Sequence, residues 1–411
     1  MGRVNAPLPA GDGPADPLAA FAALRTPEGA ALLDELRDHD PARELATATR
    51  LRRDHAPALV SAALGQARLR QRAVAKFGPE DAYRMYFTPN GVEQATRTSV
   101  ATHRASRFAA LGGVRRVADL CCGIGGDAIA LARAGIEVLA VDRDPLTAEV
   151  ARANAEALGL TALIEVRCAD VTDIDTSPCD AVFVDPARRG GRGRIFDPEA
   201  YSPPLSWATA AALKAPRAAL KIAPGVPHEA IGPEAEAEWI SDGGDVKEAV
   251  LWYGEGFEPG TYRATLLPSG ATLATRSPLP PPPVGPVGRY LYEPDGAVIR
   301  ASLVADIVER CGGRLIDETI AYVTSDEPYA SPYTSAYEIT DRLPFHMKRL
   351  KALLREREVG VLTVKKRGSA VEPEEVRRRM KLQGPNSATV LLTRVAGAPT
   401  MLIGHPVRPD A

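Results

Sequence analysis

The chain has 411 residues, 45% hydrophobic and 25% charged, with a formal net charge of −2. That length predicts two or three domains of ordinary globular composition, and the near-neutral balance excludes a global positive field, so any affinity for a polyanion has to be local. Five cysteines, at positions 121, 122, 168, 179 and 311, form no C-x-x-C pair, which speaks against a zinc site or a disulfide framework and for a reducing compartment. No stretch approaches 18 apolar residues and the N-terminus has no apolar signal core, so the expectation is a cytoplasmic protein without a membrane span or metal.

In chain order, residues 1–17, rich in Pro, Gly and Asp, predict a loose tail. Residues 18–98 predict a helical domain, with Leu32, Leu33 and Leu36 at helical spacing. Over 99–276 the short runs Val117–Leu120, Glu137–Val141, Ile164–Cys168, Ala181–Val184 and Ala218–Ile222 alternate with helical stretches. That alternation predicts an α/β domain with a doubly wound, Rossmann-like parallel sheet. Val246–Tyr253 and Arg263–Leu267 lack a long helix between them and predict an antiparallel hairpin at the sheet edge. Residues 277–286, dominated by proline, predict a polyproline linker. Residues 287–411 predict a small α/β domain, with helices over Val298–Arg310, Pro344–Arg357 and Pro373–Leu382. Its predicted strands are Val359–Val364, Ala388–Val395 and Thr400–Ile403.

Chemistry concentrates first between Val117 and Asp127. A strand ends near Leu120, a helix starts near Gly126, and the glycines between permit positive φ and close approach to a ligand. Gly123-Ile124-Gly125-Gly126-Asp127-Ala128 satisfies the dinucleotide pattern G-x-G-x-x-A, and Asp142, 19 residues after Gly123, suits ribose hydroxyls. Asp119 discriminates between ligands. A carboxylate at that strand end repels a pyrophosphate and attracts the ammonium and sulfonium of S-adenosylmethionine. Asp127 is a second acid that suits a helix dipole better than a diphosphate. S-adenosylmethionine is therefore the expected cofactor, held by Asp119, Cys121, Gly123, Gly125 and Asp142. Asp170, after the third strand, is expected to accept from the adenine amine; a solvated loop is its other reading. Asp144-Pro145 reads as a helix cap and first-turn proline.

The fourth run ends in Asp185-Pro186-Ala187-Arg188-Arg189. In an open α/β sheet this carboxyl edge, beside the cofactor strand, takes the substrate. Asp185 is expected to orient a substrate amine, since methyl transfer needs mainly alignment and proximity. Pro186 and Arg188 complete the candidate catalytic set. Arg188, Arg189, Arg192 and Arg194 crowd one Gly-rich loop, which suits RNA phosphates or simply solvent. A cysteine nucleophile is not expected: Ala187 stands where such a thiol would sit, and the cysteines fall elsewhere as packing thiols. From Asp341 to Lys381 there are 13 Lys or Arg and 6 Asp or Glu. The turn Lys365-Lys366-Arg367 and the helix bearing Arg377, Arg378, Arg379 and Lys381 are the expected RNA contacts, or a solvated face. Glu229–Glu258, with nine acids and one Lys, is expected to face away from RNA.

Three blocks resemble the class I methyltransferases that carry a THUMP-like C-terminal domain. They are Phe87-Thr88-Pro89-Asn90-Gly91-Val92-Glu93-Gln94-Ala95-Thr96, the Asp119–Asp127 turn, and Asp185-Pro186-Ala187-Arg188-Arg189. The resemblance runs from near Leu24 to Ile403. It implies a ferredoxin-like C-terminal domain that binds RNA, and it adds Glu93, Gln94 and Thr96 as candidate cofactor contacts, with a capped helix start as their other reading. The chain departs from related enzymes that methylate base nitrogens through Asn/Asp-Pro-Pro-aromatic: Ala187 replaces the second proline and Arg188 the aromatic, although Arg can also stack on a base. The expected activity is methylation of tRNA or rRNA. A small-molecule methyltransferase and an RNA-binding protein with a degenerate site are the alternatives.

Overall fold

The computed structural model describes residues 16–187, 189–190, 193–194 and 198–407. Packing divides the chain into two compact units. One is drawn from the chain up to Leu220 together with Gly254–Gly256, the other from Lys221–Tyr253 and from Phe257 onward.

The first unit opens with helices α1 (Pro17–Leu24), α2 (Pro27–Glu35), α3 (Glu44–Leu51), α4 (Pro57–Ala82), α5 (Pro89–Gln94) and α6 (Thr98–Ala110). Proline starts α1, α2, α4 and α5, where its missing N–H is no loss. Asp16, Thr26 and Thr88 accept from first-turn amides. Leu32, Leu33 and Leu36 are buried, as their spacing predicts. Then come β1 (Arg116–Leu120), α7 (Gly126–Arg133), β2 (Glu137–Asp142), α8 (Pro145–Ala157), β3 (Ile164–Cys168) and β4 (Ala181–Val184). A two-residue pair, β5 (Arg189–Gly190) and β6 (Gly193–Arg194), precedes α9 (Leu205–Lys214) and β7 (Arg217–Ile222). The order β7-β4-β1-β2-β3 is parallel throughout. Chain progression reverses between β1 and β4, the switch point where open α/β sheets bind ligands.

The second unit contains β8 (Glu236–Asp242), β9 (Asp245–Gly254), β10 (Tyr262–Leu267) and β11 (Ala271–Thr275), in the order β11-β10-β8-β9. The predicted hairpin of Val246–Tyr253 with Arg263–Leu267 does not form. β9 pairs antiparallel with β8 through the turn Gly243-Gly244, both at positive φ, and β10 joins the other side of β8 in parallel. The alternating acids of β8 conceal a strand. Glu236, Glu238 and Glu248 are buried, not a solvated acidic surface. Glu238 accepts from the Trp252 indole (2.9 Å) and the Thr265 hydroxyl (2.5 Å), Glu236 from Arg263 (2.7 Å), and Lys221 lies 3.8 Å from Glu248.

The remaining elements are β12 (Tyr290–Pro294), α10 (Gly296–Arg300), α11 (Val304–Arg310), β13 (Arg314–Asp317), β14 (Ile320–Ser325), β15 (Thr334–Pro344), α12 (Met347–Glu356), β16 (Val359–Lys366), α13 (Pro373–Met380), β17 (Asn386–Val395) and β18 (Ala398–Val407). They build a sheet in the order β13-β14-β12-β15-β18-β17-β16. The helix predicted over Val298–Arg310 is two helices, broken at Ser302 (φ +58°). The end of the proline-rich segment lies along β13: Leu315 N donates to Pro283 O (2.8 Å) and Gly285 N to Leu315 O (2.9 Å). α10 is tied to the segment following β7. Pro224 O accepts from the Trp239 indole (3.1 Å) and from Arg300 Nη1 (3.0 Å), while His228 Nε2 donates to Arg300 O (2.7 Å). No helix among the described residues is long and apolar enough to cross a membrane.

Candidate cofactor and substrate site

The turn from β1 to α7 is held in left-handed backbone at Cys121 (φ +65°), Gly123 (φ +57°) and Gly125 (φ +86°). For a residue with a Cβ such as Cys121 this conformation costs about 1–3 kcal/mol and persists only where the surroundings over-determine it. Here Cys122 N donates to Val141 O (2.9 Å) and Gly123 N to Asp142 Oδ2 (3.0 Å). Asp142 Oδ1 accepts from Asp144 N (3.0 Å). Each Asp142 oxygen thus spends one lone pair on the turn and keeps another for a hydroxyl donor. Burial raises the Asp142 carboxyl above the ordinary range, against the two amides that lower it.

Asp119 is fully buried on β1. Asp185 N donates to Leu120 O (3.1 Å), which seats the end of β4 beside the end of β1. The Cys121 thiol faces the carboxylates of Asp185, Asp142 and Asp119. Burial first, and then these three charges, push its pKa far up. Burial does the same to Cys122. Neither thiol is a thiolate at neutral pH, and the acidic surroundings that suppress it attract a cation. A sulfonium and an ammonium fit this turn, and a pyrophosphate does not.

Asp127, expected to add to that negative field, is instead paired with Arg104 of α6 in a buried ion pair. The Arg104 guanidinium lies 4.3 Å over the Phe183 ring of β4. The Asp127 charge is compensated and adds nothing against a diphosphate, which leaves the buried Asp119 as the acid that sets this turn apart from a dinucleotide loop. Asp170 is exposed and caps the turn after β3: its Oδ1 accepts from Thr172 N (2.9 Å) and Thr172 Oγ1 (2.7 Å), bonds that lower its pKa. Asp144 accepts from Thr147 N (2.8 Å) as the cap of α8, with Pro145 next.

The Phe87–Thr96 block packs on the turn. A Cβ at Gly91 would collide with Ile124 Cγ2. Thr96 is buried, whereas Glu93 and Gln94 are exposed, and Glu93 lies 3.4 Å from Arg72. Lys76 Nζ donates to Glu93 O (2.7 Å) and Ala95 O (2.8 Å) at the end of α5. The fixed point between this region and the turn is Asn154 of α8, fully buried. Its Nδ2 donates to Ile124 O (2.9 Å) and Tyr86 O (3.0 Å), and its Oδ1 accepts from Tyr86 N (2.7 Å). From the far side, buried Gln66 and Arg70 of α4 bond the backbone of Phe87 and Met85. Neither Asn154 nor Arg104 is legible in the sequence: each sits inside an amphipathic helix, and only packing sets its partners.

Beyond Pro186, which is buried, Ala187 and Ser202 exchange two backbone hydrogen bonds (2.9 and 3.1 Å) that close the base of the arginine loop. Arg188 and Arg192 lie outside the described residues, and Arg189 is placed by its backbone in β5. In the second unit the predicted RNA-contacting residues, Lys365 and Lys366 at the end of β16 and Arg367 in the turn after it, are ion-paired. Lys365 pairs with Glu293, Arg367 lies 3.5 Å from the same Glu293, and Lys366 pairs with Glu372.

Three family descriptions match the chain: a methyltransferase domain over residues 117–186, a THUMP domain-like family over 334–406 and a domain of unknown function over 16–73. An uncharacterized S-adenosylmethionine-dependent methyltransferase of Mycobacterium tuberculosis is 34% identical over 369 residues, covering 87% of this chain and 98% of the relative. An uncharacterized RNA methyltransferase of Parasynechococcus marenigrum is 34% identical over 91 residues, 21% of this chain and 20% of that one. A crystal structure from Porphyromonas gingivalis W83, assigned as a methyltransferase, shares the fold with a TM-score of 0.75 at 23% identity, covering 92% of this chain and 98% of the other. The acidic left-handed turn at the sheet's switch point and the near full-length relative agree: the chain belongs to the S-adenosylmethionine-dependent methyltransferases, with a Rossmann-like class I sheet, an N-terminal helical region and a THUMP-like C-terminal domain.

Proposed function

We propose that this methyltransferase acts on structured RNA, tRNA or rRNA, without a cysteine nucleophile. The observation that carries the reading is the presence in one chain of the acidic cofactor turn and a cation-rich THUMP-like domain. The 91-residue similarity to a relative named as an RNA methyltransferase supports the same acceptor. In this reading residues 18–98 cover the cofactor and 99–276 carry out the transfer. Residues 287–411, following 277–286, hold the RNA.

When bound, S-adenosylmethionine supplies an electrophilic methyl group on a sulfonium. Asp119 offsets its positive charge, Asp142 takes the ribose hydroxyls on its remaining lone pairs, and Asp170 accepts from the adenine amine through the oxygen that Thr172 does not use. Cys121, Gly123 and Gly125 line the approach with backbone, and Glu93, Gln94 and Thr96 close it from the block before β1. Asp185 accepts a hydrogen bond from the acceptor's N–H or O–H and so aligns its lone pair. Pro186 fixes the loop's departure, and Arg188, Arg189 and Arg192 meet phosphate. For Lys365, Lys366 and Arg367 to do so, each must exchange a glutamate for a phosphate.

The deciding experiment is transfer of a labelled methyl group to total RNA from cells lacking this protein, followed by nucleoside analysis. One labelled nucleoside species is expected. Label confined to small molecules would replace RNA as the acceptor, and cofactor binding without any label would indicate a degenerate site. Deleting residues 287–411 is a poor substitute, because α10 is bonded to Pro224 and His228 and its loss disturbs the segment after β7.

A further inference from the structure

α12 and α13 lie on one face of the C-terminal sheet. Leu350 and Leu354 of α12 and Val376 and Met380 of α13 are buried against Val364, Val390, Leu392, Met401 and Ile403. Lys351 Nζ joins the helices by donating to Arg379 O (3.1 Å). With their apolar sides consumed, the outer sides of α12, α13 and the adjoining Lys381 carry eight Lys or Arg against three Glu. Arg377 and Arg379 are paired along their own helix with Glu374 and Glu375. Lys348, Arg349, Arg355, Arg378 and Lys381 are exposed, and none has a carboxylate within ion-pair distance among the described residues. Lys348 and Arg355 are seven residues apart, two turns along one stripe of α12. The predicted turn is different: Lys365 and Arg367 share Glu293, and Lys366 holds Glu372. A phosphate reaching that turn must first displace a carboxylate, while one reaching the helices displaces only water and counterions.

We propose that the outer faces of α12 and α13, centred on Lys348, Arg349, Arg355, Arg378 and Lys381, are the phosphate-contacting surface of this domain, and that RNA backbone is its partner. The proposal rests on the RNA reading above and names the contact face within it. A lipid surface is the less suitable anion. An amphipathic helix binds a bilayer by inserting its apolar side, and here that side is inside the core. Aromatic side chains are absent from both helices, so the face suits shape and phosphate recognition of a folded RNA rather than base stacking.

The test compares the full chain with two triple variants: Lys348→Gln/Arg355→Gln/Arg378→Gln, and Lys365→Gln/Lys366→Gln/Arg367→Gln. The probe is bulk tRNA, measured by filter binding across a salt series, with phosphatidylserine vesicles as a second arm. Removing three phosphate contacts should lower the slope of log K against log salt by about 2 to 3, and weaken binding about a hundredfold at ~0.15 M salt. The helix variant should show this with an unchanged melting temperature, because its three side chains are exposed; the turn variant should keep the slope. A helix variant that binds tRNA like the parent, while the turn variant loses the slope, overturns the proposal and leaves the RNA reading intact. A parent chain that does not bind tRNA overturns both, and binding to vesicles but not tRNA replaces RNA with a membrane surface.

Discussion

Replacing Asn154 by Ala tests whether one buried amide holds the N-terminal helices and the cofactor turn together. The substitution leaves Tyr86 N, Tyr86 O and Ile124 O without their partner in a fully buried position. At about 1 kcal/mol for each lost bond, and more for a group that water cannot reach, the loss is about 3 to 5 kcal/mol. For a unit of this size that lowers the melting temperature by roughly 6–20 °C. Because Ile124 lies within the turn, the Kd for S-adenosylmethionine should also rise about tenfold, equivalent to about 1.4 kcal/mol of lost preorganisation. Asn154→Asp sharpens the test. It can still accept from Tyr86 N, but its second oxygen now faces two carbonyls. The carboxyl is therefore favoured in its protonated, donating form, and its folded pKa lies above the unfolded value. Stability from that group is present at low pH and lost as pH rises through the folded pKa. Asn154→Asp should thus trail the parent more at pH 8 than at pH 5. Urea unfolding at both values, with calorimetric titration of the cofactor, measures all three effects. An Ala variant within about 0.5 kcal/mol of the parent, or an Asp variant with a constant deficit, would show that Asn154 is not the fixed point.

Asp142→Ala should weaken S-adenosylmethionine binding strongly, and Asp142→Asn should remove its acid limb. In the parent, affinity should fall on acidification at a pH above the usual aspartate range, because burial raises this carboxyl and binding needs its ionised form; unchanged affinity in calorimetry refutes the ribose role. Asp127→Ala should cost about 3–5 kcal/mol by leaving the Arg104 charge buried, whereas Arg104→Met with Asp127→Leu should cost less. Denaturant melts decide this, and equal losses would mean that the ion pair is not the issue. Cys121→Ala should keep methyl transfer within a few-fold, and the parent should resist iodoacetamide at that thiol at neutral pH. A hundredfold loss of turnover with intact cofactor binding would restore a role for the thiol.

Much of the parallel sheet is legible because its strands are short β-branched runs separated by helices, a pattern that local sequence carries in full. The five predicted runs coincide with β1, β2, β3, β4 and β7 to within a residue at each end. Where the pattern fails, a tertiary partner overrides it. Glu236 and Glu238 resemble solvated positions until Arg263, Trp252 and Thr265 reach them from other strands. Tyr290–Pro294, Arg314–Asp317 and Ile320–Ser325 escape notice because they are short and buried on both faces, which leaves no alternation to read, while Thr334–Pro344 is too polar to stand out as a strand.

The sequence by itself determined the cofactor. The glycines of the turn and Asp142, at its fixed offset, suit either nucleotide ligand, and the negative charge of Asp119 at the strand end favours a sulfonium over a diphosphate without any coordinates. Only the tertiary structure decided which charges remain available. It neutralised Asp127 with Arg104, set Lys365, Lys366 and Arg367 against Glu293 and Glu372, and left Lys348, Arg355 and Arg378 exposed. The physical reason is range: a turn's chemistry is set by neighbours within a few residues, whereas an ion pair is set by whichever strand or helix the fold brings within about 4 Å.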